Sequence, residues 1–321
     1  MKYYSVKEGS HLAKLFLAPM AGITDRAFRQ ICKEFGADIL VTEMISSRGI
    51  YYKDKKTKEL LTFSDNERPI GIQLFGNEPE IMAYAVKVTE EYSPEFIDVN
   101  MGCPMPKIVN NGDGSALMKN PILAGKIVEA MVKATKIPIT VKFRAGYTAE
   151  TINAVDFAKV MEQSGASAIT VHPRTREQLY TGKADHSITA AVKNAVKIPV
   201  VANGDIFSPE DAKKVLEVTN CDDIMIARGS HGNPFIFTQI KDYLTVGTYK
   251  EVSVTDKLST ALNQIELMCE FKPERQAIPE ARKHMAWYMK GLYGGAKLKN
   301  KIFEANSKKD ISDIIRSYLE S

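Results

Sequence analysis

The sequence predicts a parallel (β/α)8 TIM-type barrel followed by a small all-helical C-terminal domain. Three observations carry this. Eight short apolar runs recur through residues 1–243, and they are largely non-alternating, as strands covered on both faces are. Segments of helical period separate most of them, and a strand followed by a helix, repeated in this way, calls for parallel pairing with right-handed crossovers. Beyond Tyr243 the strand-like runs stop and the pattern is helical only. Eight such units suit a closed barrel better than an open doubly wound sheet.

The first run is Leu15–Pro19, and Thr24-Asp25 is a capping signal for the helical stretch Asp25–Phe35. Asp38–Glu43 and Ile70–Phe75 are the second and third strands. Glu80–Tyr92 is helical, and Phe96–Asn100 is the fourth strand. Ile122–Lys136 leads to the fifth, Ile139–Phe143, and Ile152–Ser164 to the sixth, Ala168–His172. The seventh, Pro199–Asn203, is joined to the eighth, Asp223–Ala227, by a helix over Pro209–Thr219 that opens with Ser208-Pro209-Glu210. Leu244–Val254 reads as a linker, which divides the chain into domains 1–243 and 244–321. In the second domain Leu258, Leu262, Ile265 and Met268 share one helical face, and Ile311, Ile314 and Tyr318 share another. Pro273 and Pro279 mark one break between helices, and Gly291, Gly294 and Gly295 mark a second.

With 321 residues, 44% hydrophobic and 26% charged, the chain has the composition of a soluble globular protein and can bury a core without disulfides or metal. No apolar run approaches the ~18 residues of a membrane span. Met1–Lys14 lacks the apolar stretch of a signal peptide. Four cysteines without CxxC spacing suggest reduced thiols in a cytoplasmic protein. The net charge of +4 is uneven: Arg282–Lys309 holds eight basic residues against the single acid Glu304, so this window carries +7 and the remainder −3. The asymmetry points either to a polyanion partner, nucleic acid first, or to a solvated lysine-rich surface.

Chemistry in a parallel barrel sits at the carboxyl ends of the strands, and the unusual residues here fall at those places. Gly204 and Gly229 lie in the turns after the last two strands, where exposed backbone N–H groups, a helix N-terminus and Arg228 would hold a phosphate; either glycine alone would mark only a tight turn. Lys142 lies inside an apolar strand, so it is paired, serves a ligand or reaches water from the strand tip. His172 ends a neighbouring strand in the same way, and the two together would place positive charge near an anionic ring. Cys103 sits on a polar loop stiffened by Pro104 and Pro106, whereas Cys32, Cys221 and Cys269 read as packing groups. An ordinary thiol is protonated near neutrality, so Cys103 is a candidate general acid, or a nucleophile if its pKa is lowered; spacing leaves both open.

Taken together and in order, Pro19-Met20-Ala21-Gly22-Ile23-Thr24-Asp25, Gln73-Leu74-Phe75-Gly76, Asp98-Val99-Asn100-Met101-Gly102-Cys103-Pro104, Gly114-Ser115-Ala116-Leu117, His172-Pro173-Arg174-Thr175-Arg176 and Asn203-Gly204-Asp205 resemble the tRNA-dihydrouridine synthases, the bacterial branch most of all. The resemblance implies an FMN-dependent barrel enzyme with a helical RNA-binding domain. It implies reduction of the C5=C6 bond of uridines in the tRNA D-loop, with NADPH reducing the flavin, hydride passing to uracil C6 and Cys103 protonating C5. Pro19, Met20 and Ala21 would line the isoalloxazine, and Gln73, Lys142 and His172 would bond its polar edge. Asn100 would lie near both flavin and target base. Asn203, Gly204, Asp205, Ala227 and Arg228 would hold the ribityl chain and phosphate.

Lys107, Arg174, Arg176 and the basic tail, Lys297, Lys299 and Lys301 in particular, are expected to meet the tRNA backbone. No metal is expected, and a monomer is. Trp287 and Tyr288, inside the basic window, read as core residues rather than base-stacking ones. Pro173, His186 and Asn110 depart from the family pattern on what are expected to be RNA-facing loops. Two other readings are an FMN barrel acting on a free pyrimidine and an RNA-binding protein without catalysis. The basic tail argues against the first, because a small substrate needs no such surface; intact Cys103, Lys142 and His172 argue against the second.

Overall fold

A computed structural model describes residues 12–320; Met1–His11, most of the segment read for a signal peptide, lies outside the described residues. Nine parallel strand segments fill eight barrel positions: β1 (Leu15–Leu17), β2 (Leu40–Val41), β3 (Ile45–Ser46), β4 (Ile70–Phe75), β5 (Phe96–Met101), β6 (Ile139–Gly146), β7 (Ala168–Thr175), β8 (Val200–Asn203) and β9 (Asp223–Ile226). The second position is split. Both β2 and β3 pair with β4, Leu40 opposite Ile70 and Ile45 opposite Leu74. β9 pairs with β1, and a parallel bridge between Phe16 and Ile39 closes the ring on the other side.

Period-two alternation sorts the strand residues into two cores. Leu15, Leu17, Ile72, Ile97, Val99, Val141, Ile169 and Ile224 face the surrounding helices. Phe16, Ala18, Ile39, Val41, Phe96, Ala168, Val201 and Met225 fill the barrel interior. Gly71 makes room there for Phe96, since a Cβ on it would lie 2.2 Å from the Phe96 ring. The inward faces then turn polar towards the carboxyl rim. β5 continues from Phe96 to Asp98 and Asn100, β6 through Thr140, Lys142 and Arg144, and β7 from Ala168 through Thr170, His172 and Arg174. The apolar floor and the polar upper storeys are thus one alternating pattern read along its length.

Helices follow the expected stretches. Asp25 caps Arg26–Glu34 by accepting from the Phe28 N–H, and a reciprocal Ser208/Asp211 capping box opens Pro209–Thr219. The expected linker is shorter than 244–254: the helix Ile236–Val246 runs three residues further, until Gly247 turns left-handed at φ +79°. Four helices follow, Val254–Phe271, Glu274–Tyr288, Gly295–Glu304 and Lys308–Leu319. Only Pro273 breaks the chain between the first two. Pro279 lies inside Glu274–Tyr288, exposed and near its start, where it forfeits a single backbone hydrogen bond.

These helices bury Leu258, Ile265, Met285, Ile302, Ile311 and Ile315 in a core of their own, which also takes in Ala27 from the first barrel helix. The junction is close. A Cβ on Gly232 would lie 2.4 Å from the Trp287 carbonyl carbon, the Lys283 ammonium donates to the Gly22 carbonyl, and the His231 ring stacks on Trp287 at 4.0 Å and 16°. Tyr288 is a core residue, as expected; Trp287 is half-buried against the barrel. No helix among the described residues is long and apolar enough to cross a membrane.

Candidate active site

The carboxyl ends of the strands surround a cavity of about 360 Å³, within the range of small-molecule sites. Cys103 lines it. So do Pro19, Met20, Ala21, Gln73, Asn100, Lys142, His172, Asn203, Gly204, Asp205, Ala227 and Arg228, every residue expected around the cofactor. The fold therefore brings together groups that come from seven strand ends.

The cavity is cationic. Its lining holds Lys142, Arg144 and Arg228 against one acid, Asp205, and that acid is already engaged. Asp205 Oδ2 accepts from Arg174 Nη2 at 2.7 Å and from the Ala184 N–H at 2.8 Å, and Oδ1 accepts from Arg228 Nη2 at 3.1 Å. Burial alone would raise its pKa, but the Arg174 bond, the Ala184 N–H and the two guanidinium charges hold it below the usual carboxylate value. The expected role of Asp205 on a phosphate changes accordingly: its carboxylate aims Arg228, whose guanidinium also lies 4.5 Å from the centre of the Tyr180 ring. Arg174 changes more. It is 1% exposed and also donates to the Thr181 and Gly182 carbonyls, so it is a buried strut and offers nothing to an RNA backbone.

Lys142 has no hydrogen-bond or ion-pair partner among the described residues. Loss of water, and then Arg144, bring its pKa down to about 8, while Asp98 pulls the other way. His172 does not add to the positive charge expected here. Burial, with Lys142, Arg144, Arg174 and Arg228 around it, drives its pKa well below the ordinary value and leaves it neutral. Arg174 Nη1 stands 3.4 Å from its Nε2; a guanidinium only donates, so Nε2 accepts and Nδ1 carries the proton.

The two last turns meet backbone to backbone. Gly204 has φ +124°, and a Cβ on Gly229 would lie 2.1 Å from the Ile206 carbonyl oxygen. His186 Nε2 donates to the Gly204 carbonyl at 3.0 Å. This departure from the family pattern thus supports the cavity wall rather than an outer loop.

Cys103 is held on both sides. Asn100 Oδ1 accepts from the Cys103 N–H at 2.8 Å, and the Ser115 hydroxyl and N–H donate to the Cys103 carbonyl at 2.9 and 3.0 Å. Burial pushes the thiol above its ordinary value; the Met105 N–H, Arg144 and Lys142 offset this only in part. Cys32 and Cys221 are buried as expected, whereas Cys269 is only half-buried.

The dihydrouridine synthase (Dus) family model matches residues 16–320. The chain belongs to the dihydrouridine synthase family. It is 41% identical over 311 residues to a probable tRNA-dihydrouridine synthase of Rickettsia bellii, covering 96% of this chain and 95% of that protein. It is 40% identical over 284 residues to tRNA-dihydrouridine synthase B of Pseudomonas aeruginosa, covering 88% and 85%. Among solved structures it resembles histamine dehydrogenase from Rhizobium sp. 4-9, with TM-score 0.56 and 16% identity over 79% of this chain and 50% of that one. A variant of NCR from Zymomonas mobilis gives TM-score 0.54 and 13% identity over 78% and 93%. At such identities the likeness bears on the fold, and it agrees with the barrel.

In this dihydrouridine synthase-family chain, several lining residues were given no role by the sequence reading. Arg144 donates to the Gly102, Thr175 and Leu179 carbonyls at 2.8 to 2.9 Å. It lies two residues beyond Lys142 on the same inward face, so strand periodicity carried a signal for it. Tyr180 and His231 reach the cavity from loops, for which no local pattern exists. Of the residues expected on RNA, Lys107, Lys297, Lys299 and Lys301 are exposed, and Arg176 is half-buried, 5.5 Å from the centre of the Tyr147 ring. The three tail lysines have no carboxylate partner among the described residues, in contrast to Lys309, which is 2.9 Å from Asp313.

Proposed function

We propose that this chain is an FMN-dependent tRNA-dihydrouridine synthase that reduces the C5=C6 bond of a uridine in the tRNA D-loop, with NADPH as electron source. The observation that carries the reading is one cavity holding an unpartnered Lys142 ammonium, the aimed Arg228 guanidinium and the Cys103 thiol, in a chain whose relatives bear that name.

The residues fit FMN. Three cations against one engaged acid suit an anionic ligand, and the touching turns at Gly204 and Gly229 offer backbone N–H groups to a phosphate beside Arg228. Met20 and its neighbours Pro19 and Ala21 provide an apolar wall, and Lys142, with His172, would meet the polar edge of the ring; the Gln73 amide is fully buried, its ends taken by Asp98 and Asn100. When bound, FMN supplies the hydride. Cys103, with its raised pKa, stays protonated at neutral pH, which suits a proton donor at uracil C5 and not a thiolate nucleophile. Lys107, Arg176 and the helices beyond Gly247 would hold the tRNA while the target uridine turns out of its stack.

The test is direct. Purified protein with FMN and NADPH should convert uridine to dihydrouridine in tRNA that lacks it, read by nucleoside mass spectrometry. Reduction of free uracil with untouched tRNA would move the assignment to a small substrate.

Two further results are expected. Replacing Lys297, Lys299 and Lys301 together by Gln should weaken tRNA binding and lower its salt dependence by about 2 to 3 logarithmic units per decade of salt; an unchanged slope would make the tail a solvated surface. Lys142→Met should lower the midpoint potential of bound FMN by about 30 mV or more, the two-electron equivalent of ~1.4 kcal/mol, because a positive charge beside the ring favours its electron-rich form. Burial and Arg144 bring the Lys142 pKa down to about 8, and an anionic ring beside it would push it back up, so its charge is lost only in alkali. The difference between parent and variant should therefore shrink in alkali.

A further inference from the structure

We infer that Asp98 positions Cys103 through a directed chain of two side-chain amides, Gln73 and Asn100. The inference rests on the reading of Cys103 as proton donor. Asp98 lies in the barrel interior below the cavity, 3% exposed, in register between Gln73 on β4 and Thr140 on β6. The Thr140 hydroxyl donates to its Oδ1 at 2.6 Å, and Gln73 Nε2 donates to its Oδ2 at 2.7 Å. A carboxylate only accepts, so it decides which end of the Gln73 amide turns towards it. Gln73 Oε1 is then turned to Asn100, where it accepts from Nδ2 at 2.8 Å. That fixes the second amide, and Asn100 Oδ1 accepts from the backbone N–H groups of Cys103 and Gly102 at 2.8 and 3.1 Å.

Each link has one polarity. Inverting the Gln73 amide would invert Asn100 and set an NH2 group against two N–H donors, releasing the Cys103 backbone. Gln73 is fully buried, so it has no water to turn to. A neutral residue at position 98 could be met by either end of the amide; an ionised acceptor cannot. This accounts for a carboxylate in a place where desolvation disfavours one. Asp98 is separated from Cys103 by both amides, so it acts as a positioning residue.

The test is a cycle of two substitutions in the FMN-loaded protein. Asp98→Asn keeps the size and permits both amide directions. Asn100→Asp sets a second carboxylate against Gln73 Oε1. Each alone should speed iodoacetamide alkylation of Cys103, followed on its own peptide, by roughly fivefold. Asp98→Asn should slow uridine reduction at saturating tRNA roughly tenfold or more, with FMN retained. In the double variant the chain runs the other way: the amide at position 98 donates to Gln73 Oε1, Gln73 Nε2 donates to the carboxylate at position 100, and that carboxylate still accepts from the Cys103 N–H. Its Cys103 alkylation should return to near the parent rate.

The Cys32, Cys221 and Cys269 peptides of the same digest report on general loosening and should keep their parent rates. Should Asp98→Asn fail to fold, Asn100→Asp and the double variant carry the comparison. Unchanged Cys103 alkylation in the single variants, or a double variant no nearer the parent than either, would overturn the inference. The thiol readout is independent of catalysis, so a failure of the proton-donor reading shows separately, as normal turnover in Cys103→Ala.

Discussion

Cys103→Ala should leave the protein yellow and reducible by NADPH while uridine reduction falls by roughly 10² or more, the usual worth of a positioned acid. The loss should be confined to one half-reaction. The thiol lines the cavity but is bonded through its backbone to Asn100 and Ser115, and alanine keeps those backbone bonds. Rapid mixing of reduced protein with tRNA isolates the step, and flavin reduction by NADPH is the control. Burial holds the thiol pKa above its ordinary value. The parent's uridine step should therefore be flat through neutrality and fall only as alkali strips the proton. A variant that reduces uridine at the parent rate would remove Cys103 from the chemistry.

Asp205→Ala should cost about 3 kcal/mol of stability and most of the bound FMN. Its partner Arg174 has a side chain only 2% exposed, and removing one member of a buried pair leaves an uncompensated charge, typically at ~3–5 kcal/mol. The Thr181 and Gly182 carbonyls still accept from Arg174, which favours the lower end. Arg228 loses its only ion-pair partner among the described residues, and so the bond that aims it at the cavity. Thermal melting and the flavin content after gel filtration read the two effects separately. Asp205→Asn, which keeps an acceptor for the Ala184 N–H, should be milder in both. Unchanged melting would show that Arg174 needs no counter-charge.

Much of the site was legible because barrel strands place chemistry at their carboxyl ends, and a polar residue stands out in an apolar run. Lys142 and His172 were found in this way, while Asn100, Gln73 and Pro19–Ala21 came from the family resemblance. What was not legible depends on neighbours distant in sequence. The burial of Arg174 comes from Asp205, 31 residues on. The neutrality of His172 comes from its burial and from four cations, three on two strands and one in the turn after another. The second strand is split into β2 and β3, each paired with β4, an interruption that no local pattern shows. Pro279 was read as a helix breaker because an interior proline costs a backbone hydrogen bond, and the burial of Ala277, Ile278 and Ala281 around it, which offsets that cost, comes from helices elsewhere in the chain.

The junction between barrel and tail has a consequence for how such chains can vary. Ala27 belongs to the core of the C-terminal helices, Gly232 admits the Trp287 backbone, and His231 is at once cavity wall and stacking partner of Trp287. The tail is therefore not an interchangeable module. A tail grafted from a relative should dock only if the residues around Gly22–Phe28 and His231–Gly232 travel with it, and a barrel cut at Gly247 would leave the cavity-wall residue His231 without the Trp287 ring it stacks on. Exchange of tails between such chains would require those two barrel segments to change in concert with the tail.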